Sequence, residues 1–283
     1  MSPARVRRRP APALALAVSL LVETSLVAGS LKAETAAGWA AYLAATERRR
    51  AGELADSRRF LVMDHQPTPA EDRRAVLSGA VVVAPMSTVE RGGLVAMPWG
   101  LVHHWRGAVL VKGTTVSELM SRIQHATPPA LQEDVLRSSV IARGPDAMKV
   151  YLRLQRSKVI RVVYDTEHDV RFEHIDDRRA ASTSTATKIA ELKYPGTAAE
   201  YELPLGSDRG FLWGLNAYWR YEATPGGTIA ECESISLSQD VPAALRFIAG
   251  PLIRDAARES MERTLTALRD RFGRKPPAPS PAR

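Results

Sequence analysis

The last third of the chain constrains the fold most. Residues 211–222 (FLWGLNAYWRYE) and 229–238 (IAECESISLS) are two runs with the alternation and residue types of strands. Thr224-Pro225-Gly226-Gly227 stands between them as a turn. From residue 241 to residue 272 the pattern becomes helical. Leu245, Ile248, Leu252, Ala256, Met261, Leu265, Leu268 and Phe272 recur mostly at steps of three and four, giving one apolar stripe. Asp240 suits the cap of this helix and Pro242 its first turn. Gly250-Pro251 predicts a kink or split, because proline removes a backbone donor and its ring meets the preceding turn.

The turn predicts a register. If residues 224–227 close the loop, Ala223 pairs with Thr228, Tyr221 with Ala230, Trp219 with Cys232 and Ala217 with Ser234. Alternation then puts Phe211, Trp213, Leu215, Trp219 and Tyr221 on one face, opposite small partners. Burying each large aromatic is worth roughly 2–3 kcal/mol, so this face is the inner one. The other face sets Arg220 against Glu231 and Tyr218 against Glu233, with Asn216 near Ile235. It reads as a solvated outer surface, where ion pairs contribute little.

Upstream, residues 102–111 read as a strand and 115–124 as a short helix, with Thr115 and Glu118 spaced as a capping box. Strands follow at 135–142, 148–155, 159–175 and 180–192, joined by polar turns such as Arg143-Gly144-Pro145-Asp146. Crossover helices are missing, so the sheet is antiparallel. Residues 35–60 read as an alanine-rich helix with Arg48-Arg49-Arg50 as a solvated face, 64–72 as a linker holding Pro67 and Pro69, and 76–83 as a strand.

This order, a strand, short helical segments, six strands and a long helix, resembles the START-like superfamily, the helix-grip fold of the birch-pollen allergens and polyketide cyclase-like proteins. The resemblance covers residues 101–272 and is carried most by GFLWGLNAYWRYEATPGGTIAECESISLSQDVPAALRFIAGPLIRDAARESMERTLTAL. It is similar in this to exported bacterial members with no assigned reaction. The resemblance implies an α+β fold, a curved antiparallel sheet wrapped around the C-terminal helix, with an apolar cavity between them. Members of the superfamily bind lipids, sterols or polyketides, and a few catalyse cyclisation or dehydration. No catalytic motif of the superfamily carries over to residues of this chain.

Arg5, Arg7, Arg8 and Arg9 precede an uncharged apolar run at 11–22, which Glu23 ends. A basic start, a short apolar core and then small residues form a secretory signal pattern, too short for a spanning helix. The chain therefore divides into a signal peptide (1–33), a helix, linker and peripheral strands (34–100), the main domain (101–272) and a disordered proline-rich tail (273–283). Export to the periplasm or beyond is expected, with N-terminal anchoring as the alternative. Residues 1–33 hold five of the 39 Lys and Arg and one of the 31 acids, so removing them lowers the net charge from +8 to +4. A nucleic-acid partner loses its support accordingly. Cys232 is the only cysteine, so no intramolecular disulfide forms; it reads as a packed thiol.

The candidate cavity residues are Trp213, Trp219 and Tyr221 from the hairpin, Tyr164 and His168 from the 159–175 strand, and Leu252, Ala256 and Met261 from the helix. His168 suits an acid or base in a pocket, though a structural histidine is the favoured reading since no partner is visible. His103 and His104 are adjacent on a strand and point to opposite faces, so they do not make a metal pair. No catalytic residue, metal or cofactor is assigned. The favoured function is an exported protein holding a hydrophobic small molecule or lipid, with membrane-surface contact left open. The alternatives are a cyclase- or dehydratase-type enzyme using the same cavity, and a non-catalytic envelope protein whose core is filled. N-terminal sequencing of envelope-purified protein should begin near Glu34; material beginning at Met1 or Ser2 would contradict the signal-peptide reading.

Overall fold

The computed structural model describes residues 31–273 apart from 57, 91, 126–133, 157–160, 205 and 241–245, and only the backbone of 246–254. Most of the expected leader, the Pro242 expected in the first turn of the last helix and most of the proline-rich tail fall outside the described residues. Helix α1 (Ala33–Leu54) opens the described chain. A 3-10 turn (Val62–His65), helix α2 (Pro69–Leu77) and edge strand β1 (Val82–Pro85) follow, then a small hairpin of β2 (Val89–Glu90) and β3 (Gly93–Leu94). The main sheet is built from β4 (Gly100–Lys112), β5 (Val135–Arg143), β6 (Ala147–Arg156), β7 (Val162–Asp176), β8 (Arg179–Lys193), the short β9 (Tyr201–Glu202), β10 (Gly214–Thr224) and β11 (Gly227–Gln239). Helix α3 (Val116–His125) connects β4 to β5, and α4 (Arg246–Phe272) is the last element.

The sheet order is β1-β4-β11-β10-β8-β7-β6-β5, antiparallel throughout, with β9 added to β8. The hairpin register is the one its turn predicts: Ala223 faces Thr228, Tyr221 faces Ala230 and Trp219 faces Cys232. The capping box of α3 also forms, with Thr115 N–H donating to Glu118 at 3.1 Å and Glu118 N–H to Thr115 Oγ1 at 3.2 Å. Helix α4 crosses the inner face and seats Met261 and Leu265 on Gly107, Val109 and Cys232. A Cβ on Gly107 would lie 2.6 Å from Leu265 Cδ1, so the missing side chain is what lets the helix approach β4. The end of α4 is held by α3, whose Arg122 donates to the Phe272 carbonyl at 3.1 Å, as does Thr114 at 3.0 Å.

Several expectations for the N-terminal part are corrected. Residues 64–72 are no linker: they hold the 3-10 turn and the start of α2, because Pro69 suits a first helical turn. Val76 belongs to α2, and the strand expected at 76–83 is only Val82–Pro85. At the other end α4 is helical on both sides of Pro251, so the split expected there is not seen among the described residues.

The larger correction concerns the polar face of the hairpin, which is buried and not solvated. Helix α1 and the 3-10 turn lie across it. Arg220, fully enclosed, donates to Glu53 Oε2 at 2.5 Å and to the Phe60 carbonyl at 2.8 Å. Glu231 accepts from the backbone N–H groups of Val62 and Met63, the latter at 2.9 Å. Glu233 is paired with Arg49 and, at 2.7 Å, with His104 Nε2, whose other nitrogen meets the Tyr42 hydroxyl at 2.8 Å. Arg50 lies over the Tyr218 ring at 3.9 Å. Of the arginine triplet only Arg48 stays on the solvent side, paired with Glu90. A buried ion pair gives little net stability, but breaking one leaves an uncompensated charge. Arg220→Met should therefore cost about 3–5 kcal/mol in urea unfolding. Adding Glu53→Met should cost at least about 1 kcal/mol less than the sum of the singles; strictly additive losses would show that the pair is not coupled.

Candidate functional site on the concave face

Burial along β10 locates the open space. On the outer face Asn216, Tyr218 and Arg220 are buried under α1. On the inner face Leu215, Ala217 and Trp219 are only half-buried, although α4 crosses that side. Ser184 of β8 and Ser234 and Ser236 of β11 share this inner face and are also half-buried. The inner face is thus incompletely covered.

One end of this face is closed. Tyr221 packs there with Phe172, Val111, α3 residues Val116, Leu119 and Met120, and Phe272 of α4. Trp219 stacks on Tyr221 with centroids 6.2 Å apart and rings within 5° of parallel, and it packs against Cys232, Met261 and Leu265. Burial pushes the Cys232 thiol up and the Tyr221 phenol up, so both are neutral.

Toward the other end the lining becomes polar. His168 Nε2 lies 3.0 Å from Thr166 Oγ1, and its Nδ1 lies 3.5 Å from Ser184 Oγ. His103 Nε2 lies 3.0 Å from Ser238 Oγ. Burial lowers both imidazoles to about 4; for His103 the nearby Arg156 charge adds to it. Arg156 contacts Asp134 at 3.4 Å and Ser260 of α4 at 3.1 Å, while Ser260 donates to Asp134 at 2.5 Å. Burial holds Arg156 below its ordinary pKa, yet 34% of its side chain is open. The buried Tyr164 hydroxyl, raised by burial, has no hydrogen-bond partner among the described residues.

The candidate residues do not form one patch. Trp219, Tyr221 and Met261 come together at the closed end. His168 lies among hydroxyls, and Tyr164 packs with Val135, Leu154, Val162 and Leu212 on the far flank. Trp213 turns instead to the preceding loop, donating from Nε1 to Asp208 at 3.0 Å. Ala256 is half-buried on α4, and the Leu252 side chain lies outside what the structure describes. The sequence reading missed His103, Arg156 and the serines. The alternation of Ser234, Ser236 and Ser238 was the available signal, since period two puts all three on one face. His104 is taken up by the outer face, so the two adjacent histidines serve opposite sides of the sheet. Among the described residues no group of three or more His, Cys, Asp or Glu could hold a metal.

A long helix gripped by a curved antiparallel sheet, in this element order, decides the architecture. The fold is a helix-grip fold. Solved structures with the same arrangement include a STAR-related lipid transfer protein fragment from Xanthomonas axonopodis (16% identity, 67% of this chain and 98% of that one, TM-score 0.43). Human STARD10 is another (8% identity, 72% and 79%, TM-score 0.41). The di-domain aromatase/cyclase BexL of the BE-7585A biosynthetic pathway is a third (15% identity, 62% and 52%, TM-score 0.40), and this chain spans about half of its length. These are likenesses of fold. No protein-family model matches the chain. No curated protein matches it either.

The buried histidines carry a pH dependence. Each folded-state pKa lies below the ordinary 6.5, so the neutral ring is the stable form. Stability is complete above pH 6.5 and is lost as pH falls toward 4, by up to about 3 kcal/mol for each ring. NMR titration of the ring protons should find His103 and His168 unprotonated at pH 5; midpoints near 6.5 would place them in water.

Proposed function

We propose that the protein is an exported binding protein that holds a hydrophobic small molecule or lipid with a polar end in the recess between the concave sheet face and α4. The inverted burial of β10 carries this reading. Its charged face is dry, and its aromatic face, which the hydrophobic effect would hide first, keeps open space at Leu215, Ala217 and Trp219. A protein whose core is filled by its own side chains has no reason to leave that face the wetter one. The lining fits an amphipathic occupant: aromatic and aliphatic at the closed end, hydroxyls and two neutral imidazoles farther along. Among the described residues neither imidazole has a carboxylate beside it, as an activated base would need, and that favours binding over catalysis.

An apolar fluorophore such as N-phenyl-1-naphthylamine should bind and quench tryptophan emission. Filling the recess with Ala217→Phe or Ser236→Phe should weaken binding at least about tenfold while leaving the melting temperature near the wild-type value, because both positions are only half-buried. Absent binding in the wild type, or undiminished binding in both variants, would contradict the proposal.

A further inference from the structure

Two aromatic residues stand out by backbone conformation. Among the described residues only Trp99 (φ 57°) and Tyr194 (φ 52°) occupy the left-handed region without being glycine. That region is unfavourable for bulky side chains. Both are also exposed, at 62% and 54%. Each is held in place through its own carbonyl. Trp99 accepts from the Asp240 N–H at 3.1 Å, and Tyr194 from the Thr197 N–H at 3.2 Å and Thr197 Oγ1 at 2.9 Å. The fold thus holds two strained residues in order to leave large aromatic rings in water, which internal packing does not explain.

They share a position and a companion. Trp99 immediately precedes β4, and Tyr194 immediately follows β8. By the sheet register, the start of β4 and the end of β8 lie at the same end of the sheet, opposite the end closed by Phe272. A lysine accompanies each ring: Lys32 Nζ is 3.8 Å from the Trp99 centroid and Lys193 Nζ 5.4 Å from that of Tyr194. Neither lysine has a carboxylate partner among the described residues. Tyr201, also exposed, meets Tyr194 edge to face at 6.3 Å. Beside Tyr194 a cleft of about 470 Å³ is lined by Arg161, Lys193 and Arg209. Its buried acid, Glu191, is already held by Arg209 at 2.5 Å. The neighbouring carboxylates are likewise spent: Glu202 on Lys188, Glu200 on Arg153, and Asp208 on Trp213 and the Gly210 N–H.

We infer that this end of the sheet, through Trp99, Tyr194 and Tyr201 with Lys193, is a docking surface for an anionic phospholipid bilayer. Amphipathic rings flanked by lysines suit the headgroup layer, where the ring lies among acyl-chain ends and the ammonium meets phosphate. The contact is peripheral, since no described helix is long and apolar enough to cross a membrane. The rim lies at the end of the recess where the lining is polar, so docking would bring that end to the source of a lipid ligand. The inference goes beyond ligand binding, and its test uses no ligand, so the two can fail separately.

The test is co-sedimentation with vesicles of phosphatidylcholine alone and of phosphatidylcholine mixed with phosphatidylglycerol. Wild type and variants each carry whatever N-terminus their own cells leave on them. Wild type should bind the anionic vesicles on the order of tenfold more tightly, with the difference lost at high salt. Lys193→Gln should weaken binding to the anionic vesicles about fivefold and leave the neutral ones unchanged. The double variant Trp99→Gly, Tyr194→Gly should lose binding to both on the order of tenfold, yet melt no lower than wild type, because glycine tolerates the positive φ. That pairing of lost binding with kept stability separates a docking role from a structural one. Equal wild-type binding to the two vesicles, no binding to either, or a glycine variant that binds as wild type does would each overturn the inference.

Discussion

The fold depends on a buried ionic seam on the outer face of the sheet. Arg220, Glu231 and Glu233 point away from the concave side, and a dry environment for them exists only because α1 and the 3-10 turn deliver Glu53, the Phe60 carbonyl, two backbone N–H groups and Arg49 to meeting positions. Such a seam contributes little stability of its own, since desolvation offsets most of the attraction. Its effect is on specificity. A shift of α1 along the sheet by one turn would leave several charges buried without partners, so the N-terminal segment has one acceptable seat. Glu231 shows the tension directly: burial pushes its carboxyl up to about 7 despite two N–H donors and nearby Arg220 and Arg106.

With the outer face sealed, the hairpin has one side left for function. That side is covered by α4 and, at one end, by α3, and α4 meets it at β4 and the hairpin, where Gly107 admits Met261 and Leu265. Farther across, the lining changes from rings to hydroxyls, neutral imidazoles and the Arg156, Asp134 and Ser260 cluster. Arg156, at the end of β6, and Asp134, just before β5, also tie the sheet to Ser260 of α4, so the polar part of the lining helps hold the helix in place.

How much of this the sequence discloses follows from what each signal measures. The β10–β11 register is legible because a proline-glycine turn sets it and both strands alternate cleanly. The α4 stripe is legible because Met261, Leu265, Leu268 and Phe272 all meet apolar partners. The role of α1 is not, because its buried side consists largely of Thr35, Thr46, Arg50 and Glu53, and apolar periodicity cannot register a helix that packs through charges. The same blindness made Arg220 and Glu231 look solvated: alternation says that they share a face, but nothing within the strands says what covers it. In the site, the aromatic end was legible from Trp219 and Tyr221. The polar end was not, because His103, Arg156 and Asp134 come from three distant segments that only the closed sheet brings together.

The central claim is that the recess under α4 holds a foreign molecule. Native mass spectrometry of protein purified from its own cells, without lipid or detergent added, tests it most directly. The account predicts a population carrying a bound amphiphile that organic extraction releases and that is reduced in an Ala217→Phe chain. A spectrum showing only the bare protein mass, before extraction and in every preparation, would contradict it.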